Sequence, residues 1–288
     1  MKTKHIFLGL LTAVFISCSG DDDSTSPIPE TAPQLIVKFK FDNTQVRLDN
    51  FGQPETIPAG NAAQSPNFNT MSAHYIELAP TAFTALGAGE IIYKGNETIT
   101  GGSNAVDFQS AKVVTENEVF LSIPLSSIQA GTYAWTRISL TYQNYDINFL
   151  YQGNDYTGTL ASFVGFNNYI TSHQVNTQTV AVNDNKLQGY WAFETLGTTS
   201  EGNAPVTTVP NPLSATSPVP AGSCVVTGEF SGGLTITGDE TENLVVTMSL
   251  TTNNSFEWTE VTADGKFEPD AGEQVVDMGF RGLVPIVE

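Results

Sequence analysis

Apolar side chains fall on every second residue at the start of the folded region. Leu35, Val37, Phe39 and Phe41 interleave with Ile36, Lys38, Lys40 and Asp42. A period of two puts each set on its own face, so this segment predicts a strand with one apolar face. The same pattern predicts strands at Ser72–Ala79, Glu90–Lys94, Val119–Ile123, Tyr133–Tyr142, Ile147–Tyr151, Gln178–Val182, Leu187–Thr195, Cys224–Phe230, Gly233–Thr237 and Leu244–Leu250. Clusters of Gly, Asn, Asp and Pro lie between them, at 50–52, 101–104, 153–155, 183–185 and 232–233. No stretch carries a capped period of 3.6, and only Ser162–His173 is compatible with a short helix. Short strands separated by turn chemistry predict an all-β fold, an antiparallel sandwich or barrel.

One segment resists this pattern. Gly197 to Gly222 holds Pro205, Pro210, Pro212, Pro218 and Pro220 among many Ser and Thr. It reads either as a linker between 34–196 and 223–288 or as an ordered excursion from one sandwich. The piece after it has only a few strands and no disulfide, and such small pieces rarely stand alone. The expectation is a single domain over 34–288 with a Pro-rich insertion at 197–222.

The N-terminus follows a different logic. Met1–His5 is basic, and Ile6–Ile16 is an unbroken apolar run of eleven residues. A membrane-spanning helix needs ~20 apolar residues, so this run suits the core of a signal peptide over 1–17. Phe15-Ile16-Ser17-Cys18 resembles the lipobox of bacterial lipoproteins, with Phe15 where Leu is usual. That resemblance implies cleavage before Cys18 and lipidation of its thiol; the alternative is an ordinary secretory signal cut nearby. Ser19, Gly20, Asp21, Asp22 and Asp23 come next and resemble the surface-export signal of Bacteroidota lipoproteins. The resemblance implies an outer-membrane lipoprotein facing the cell exterior; the alternative is an acidic, solvated linker. Residues 18–33 would then be lipidated Cys and tether.

Charge narrows the partners. The chain of 288 residues carries 11 Lys+Arg against 30 Asp+Glu, a formal net charge of −19. Such a surface repels phosphate backbones, which argues against nucleic acid, and attracts divalent cations. Cys224 is the one thiol left if Cys18 is lipidated, so no intrachain disulfide is expected. Its setting, Ser223-Cys224-Val225-Val226, predicts a buried, inert side chain.

Two segments carry candidate binding chemistry. From Glu260, positions 1, 3, 5 and 6 are Glu260, Thr262, Asp264 and Gly265, similar to an EF-hand calcium loop. Position 12 is Ala271 instead of Glu, and Glu273 falls two residues late. Glu260, Asp264, Glu268, Asp270 and Glu273 are the candidate calcium ligands, against the alternative of an acidic Asp-Gly turn. The second segment is aromatic and amide-rich, as in Tyr142-Gln143-Asn144-Tyr145-Asp146-Ile147-Asn148. Flat rings beside amides suit sugar rings or extended peptides, against the alternative of sandwich core. Tyr145, Tyr151 and Tyr156, close to turns, are the candidate exposed ligand contacts. His74 reads as an outward strand position and His173 as a loop residue. No GxSxG, P-loop, HExxH or GxGxxG motif occurs, which moves the expectation away from an enzyme.

A further resemblance concerns the body of the chain. The Lys38-Phe39-Lys40-Phe41 strand, the run ending Ala130-Gly131-Thr132-Tyr133, and Gly189-Tyr190-Trp191 are together similar to methanobactin-associated copper-binding proteins and other prealbumin-like sandwiches. This implies a prealbumin- or Ig-like β-sandwich with long loops. That family's His-rich surroundings have no counterpart here, and no copper ligand is carried across. Three functions follow as expectations. One is a surface lipoprotein acting as a non-catalytic binding or scaffolding module, accessory to an outer-membrane transporter or surface complex that takes up glycans or peptides. Another is a calcium-binding lipoprotein. The last is a hydrolase with dispersed catalytic residues.

Overall fold

Strand β1 (Gln34–Asp42) buries Leu35, Val37 and Phe39 completely and leaves Lys38 and Lys40 half-exposed, as its alternation requires. The computed structural model describes residues 32–49, 52–204, 215 and 218–288. Cys18 and Ser19, Gly20, Asp21, Asp22 and Asp23 lie outside the described residues, with the expected signal peptide and residues 205–214 and 216–217 of the Pro-rich insertion. Ala32–Glu288 is one compact unit.

Among the described residues the regular secondary structure is almost entirely strand, and the fold is all-β and sandwich-like. After β1 come β2 (Asn61–Gln64), β3 (Asn67–Ala79), β4 (Glu90–Lys94), β5 (Glu97–Thr98) and β6 (Ala105–Asp107). The middle of the chain forms β7 (Val119–Pro124), β8 (Gly131–Tyr151), β9 (Asn154–Phe163), β10 (Asn167–Gln174), β11 (Thr179–Leu187), β12 (Tyr190–Thr195) and β13 (Thr198–Asn203). The last strands are β14 (Cys224–Ile236), β15 (Leu244–Thr251), β16 (Phe256–Thr259), β17 (Gln274–Met278) and β18 (Leu283–Val287). Pairing is mostly antiparallel, but β1–β15 and β6–β10 are parallel.

Strand β8 organises the molecule. It is 21 residues long, with β3 along one edge and, along the other, first β14 and then β9. Its first half faces the sheet β18-β15-β1-β7 across a core containing Phe39, Ile76, Leu140, Val226 and Met248. Its second half is covered on both faces. Tyr142 and Phe163 pack with Ile170 and Val180 of β10 and β11. Tyr145, Ile147 and Phe149 pack on the other face with Phe256, Trp258 and Met278 of β16 and β17.

Three expectations change here. Tyr133–Tyr142 and Ile147–Tyr151 are one strand, because Gln143 and Asn144 between them are buried and bonded rather than looped out. Ser162–His173 is not helical; it comprises the end of β9, a turn and most of β10, and a Cβ on Gly165 would meet the Thr141 hydroxyl at 2.7 Å. The insertion begins later than 197. Leu196 and Gly197, with φ of +50° and +75°, form the turn of a hairpin that pairs β12 with polar β13.

Candidate functional site

Directly opposite residues on paired strands share a face, and so do alternate residues along one strand. On β8 this puts Tyr142, Asn144 and Asp146 on one face and Gln143, Tyr145 and Ile147 on the other. Asp146 lies opposite Thr159 of β9, and Asn144 opposite Ala161. The polar set floors a cleft of about 550 Å3. Asn69 and Thr70 of β3, Phe108 and Gln109 of a short 3-10 turn, and Ser172–Asn176 at the end of β10 complete its walls.

Hydrogen bonds fix the floor. Thr159 donates its hydroxyl to Asp146 Oδ1 at 2.6 Å, and Asn69 Nδ2 donates to the same oxygen at 3.3 Å and to Asn144 Oδ1 at 3.0 Å. Asn144 Nδ2 donates to the Val175 carbonyl at 2.7 Å, tying the rim loop to the floor. From outside the cleft, Glu194 of β12 holds the same loop. Its carboxylate accepts the amides of Asn176, Thr177 and Gln178. Burial opposes ionisation of Glu194, but the Thr177 hydroxyl and these amides outweigh it and lower its pKa.

His173 stands in the wall. Only 4% of it is exposed, its ring is edge-on to Phe163 at 5.0 Å, and both ring nitrogens are enclosed. Burial lowers its pKa against the opposing field of Glu201 and a backbone hydrogen bond at Gln174. It is a strand residue, not the loop residue expected. Its apolar surroundings come from β9 and β12, and the polar run Ser172-His173-Gln174 gives no hint of them. His74 likewise points inward, with its ring against Phe166 and Nε2 3.1 Å from Glu97 Oε1.

The three candidate tyrosines lie elsewhere. Tyr145 is fully buried beside Phe68, because the Phe256–Met278 sheet covers its face of β8; its expected exposure is corrected. Tyr156 is half-buried and stacks on Phe149, at a second cavity with Asp155 and Lys266. Tyr151, 44% exposed, sits at the β8–β9 hairpin tip. None of the three lines the cleft of Asn144 and Asp146. The alternation in Tyr142–Asn148 was the available signal: Tyr142, Asn144 and Asp146 share the face that carries the polar site.

The acidic C-terminal loop is held together by its own backbone. Buried Glu273 accepts the amides of Val261 at 2.9 Å and Glu268 at 2.7 Å. Asp264 accepts from the Lys266 amide, Asp270 from the Gln152 amide, and Glu260 from the Gly265 amide. Among the described residues, no three or more His, Cys, Asp or Glu side chains group to hold a metal ion. Arg47 pairs with Glu257, and Arg281 with Asp277 and Glu55, in a part-buried network that joins 47–55 to 257–281. Cys224 is buried, and burial followed by the nearby Asp277 pushes its thiol up to about 12.

No family model, curated protein or solved structure significantly matches the chain.

Proposed function

We propose that this protein is a non-catalytic binding module, anchored through lipidated Cys18 at the outer face of the outer membrane. Its ligand site is the cleft over Asn144 and Asp146, and it serves an outer-membrane complex that takes up glycans or peptides. The observation that carries the binding role is the cleft itself, whose floor side chains Asn144 and Asp146 are fixed by Asn69, Thr159 and the Val175 carbonyl. A preformed concavity with a few convergent polar groups is the usual form of a small-ligand site.

The absence of catalysis is part of the same proposal. Among the described residues Asp146 is the one carboxylate lining the cleft, whereas glycoside hydrolysis by the usual routes needs two facing carboxyl groups. The anchoring role leans on the leader and on Asp21, Asp22 and Asp23, an acidic run directly after Cys18.

Two measurements test the proposal. Full-length protein is screened against oligosaccharide and peptide libraries, and each hit is repeated with Asp146→Ala. Loss of the hits in the variant supports the cleft, and unchanged binding of all of them removes it. Membrane fractionation of Cys18→Ser tests the anchor. Release from the membrane is expected, and retention equal to the parent overturns it.

A further inference from the structure

We infer that the cleft over Asn144 and Asp146 takes the side chain of a lysine from a peptide, with its ammonium on Asp146 Oδ2. This rests on the cleft being the binding site, and it follows from which hydrogen-bonding groups of the floor are already engaged.

The donors of the floor are turned inward. Asn69 Nδ2 donates to Asn144 Oδ1 at 3.0 Å and to Asp146 Oδ1 at 3.3 Å, which uses both of its hydrogens. The Thr159 hydroxyl donates to Asp146 Oδ1 at 2.6 Å, and Asn144 Nδ2 donates to the Val175 carbonyl at 2.7 Å.

Acceptors are what the floor leaves open. Among the described residues no donor meets Asp146 Oδ2 or Asn69 Oδ1, and neither oxygen is an enclosed atom. At an exposed position in the wall, Gln109 donates Nε2 to the Ser172 carbonyl at 2.8 Å, and its Oε1 has no donor among the described residues. An ammonium brings three hydrogens and needs no donor in return, so it matches this set. Its bond to a carboxylate is of the stronger, charge-assisted kind.

The walls select the stem. Phe108, Ala111, Val113 and Val175 line the cleft with apolar surface. Lysine carries its charge on four methylenes, which pack on such surface while the head reaches a polar group. An amino sugar has no such stem, because its ammonium sits directly on a hydroxylated ring. Arginine fits less well for a different reason. Its planar fork matches both oxygens of a carboxylate, and here Thr159 and Asn69 already hold Oδ1.

Charge points the same way. Among the described residues no Lys or Arg lines the cleft; Lys112, between Ala111 and Val113, is exposed and off the lining. The net charge of −19 draws cations toward the chain. Calcium, which usually takes several carboxylates, finds one.

The test is calorimetric titration of the full-length protein at low salt with a capped Gly-Lys-Gly-Gly tetrapeptide. Its lysine is replaced in turn by norleucine, Nε-acetyl-lysine and arginine, and a glucosamine tetrasaccharide and calcium chloride are titrated separately. The lysine peptide binds. The norleucine and acetyl-lysine peptides bind about tenfold or more weakly, and so does the lysine peptide to Asp146→Asn, which keeps the Oδ1 acceptor. The arginine peptide binds less tightly than the lysine peptide. Val113 is 39% exposed, so substitution there leaves folding intact. Val113→Glu tightens and Val113→Lys weakens binding of the lysine peptide.

The failures are separable. If the lysine peptide does not bind, the assignment is overturned; other ligands lost in Asp146→Ala then leave the cleft reading standing. If the lysine peptide binds equally to the parent, Asp146→Asn and Val113→Lys, both the assignment and the cleft fall. A norleucine or arginine peptide as tight as the lysine peptide overturns the ammonium. Asp146-dependent binding of calcium or of the glucosamine tetrasaccharide, tighter than that of the lysine peptide, overturns the choice of lysine.

Discussion

The Glu194 carboxylate accepts both the hydroxyl and the backbone amide of Thr177, seventeen residues earlier in the chain. With Asn176 and Gln178 bonded to the same group, one side chain fixes the loop that forms the cleft rim. Glu194→Gln replaces an acceptor oxygen with a donor that faces N–H groups. The expected effect is a loss of about 1–3 kcal/mol of stability and faster amide exchange confined to 175–178. Ligand affinity should fall too, although Glu194 does not line the cleft. Hydrogen exchange and calorimetry on the variant check both effects.

The two buried histidines set an acid sensitivity. Burial lowers the pKa of His74 and His173 below the ordinary value of 6.5, against the opposing fields of Glu97 and Glu201. Between the folded and unfolded values the unfolded chain binds more protons, so their contribution is present above 6.5 and lost as pH falls through the folded values. Asp277 has the opposite sign. Burial raises its pKa, opposed by the positive field of Arg47. The histidine share is isolated by comparing variant and parent. His173→Leu should lose less stability than the parent between pH 7.5 and 5.5, read as a smaller drop in Tm.

How far this was legible in the sequence depended on where each partner sits. The alternation of Leu35, Val37 and Phe39 needs only neighbouring residues to be read, and β4 has the same bounds in pattern and structure, Glu90–Lys94. Gln143 and Asn144 looked like a break in a strand, because their partners are the Met278 and Val175 carbonyls, far along the chain. Tyr145 looked exposed because nothing local announces that Phe256 and Trp258 cover it. His173 required β9 and β12 to be placed before its burial was visible. Local periodicity thus reports strands and faces, while a site assembled from side chains of several strands appears only with the pairing.

Gly158 makes room for an aromatic wall. An added Cβ there would lie 2.2 Å from Phe193 Cζ, and its backbone needs no left-handed φ, so the constraint is purely steric. Gly158→Ala should cost about 1–3 kcal/mol. Phe193→Leu in the same chain should recover part of that loss, because the ring tip that clashes is removed. The coupling is read from a double-mutant cycle of denaturant midpoints, and strict additivity would contradict the contact.

The acidic C-terminal loop separates two readings of Glu273. As a calcium ligand, its removal would matter only when the ion is present. In the structure both of its oxygens are already engaged: Oε1 accepts Val261 and Thr262, and Oε2 accepts Glu268. Three amides on one buried carboxylate make it the hub of the turn, and its loss leaves N–H groups unpaired. Glu273→Ala should therefore lower stability by about 2–3 kcal/mol, to the same extent in chelator as in calcium. Asp264, which accepts only the Lys266 amide, should show a much smaller loss on conversion to Ala. Paired thermal melts of both variants with and without calcium decide the matter: a Glu273→Ala defect seen only with the ion would return this residue to the role of ligand.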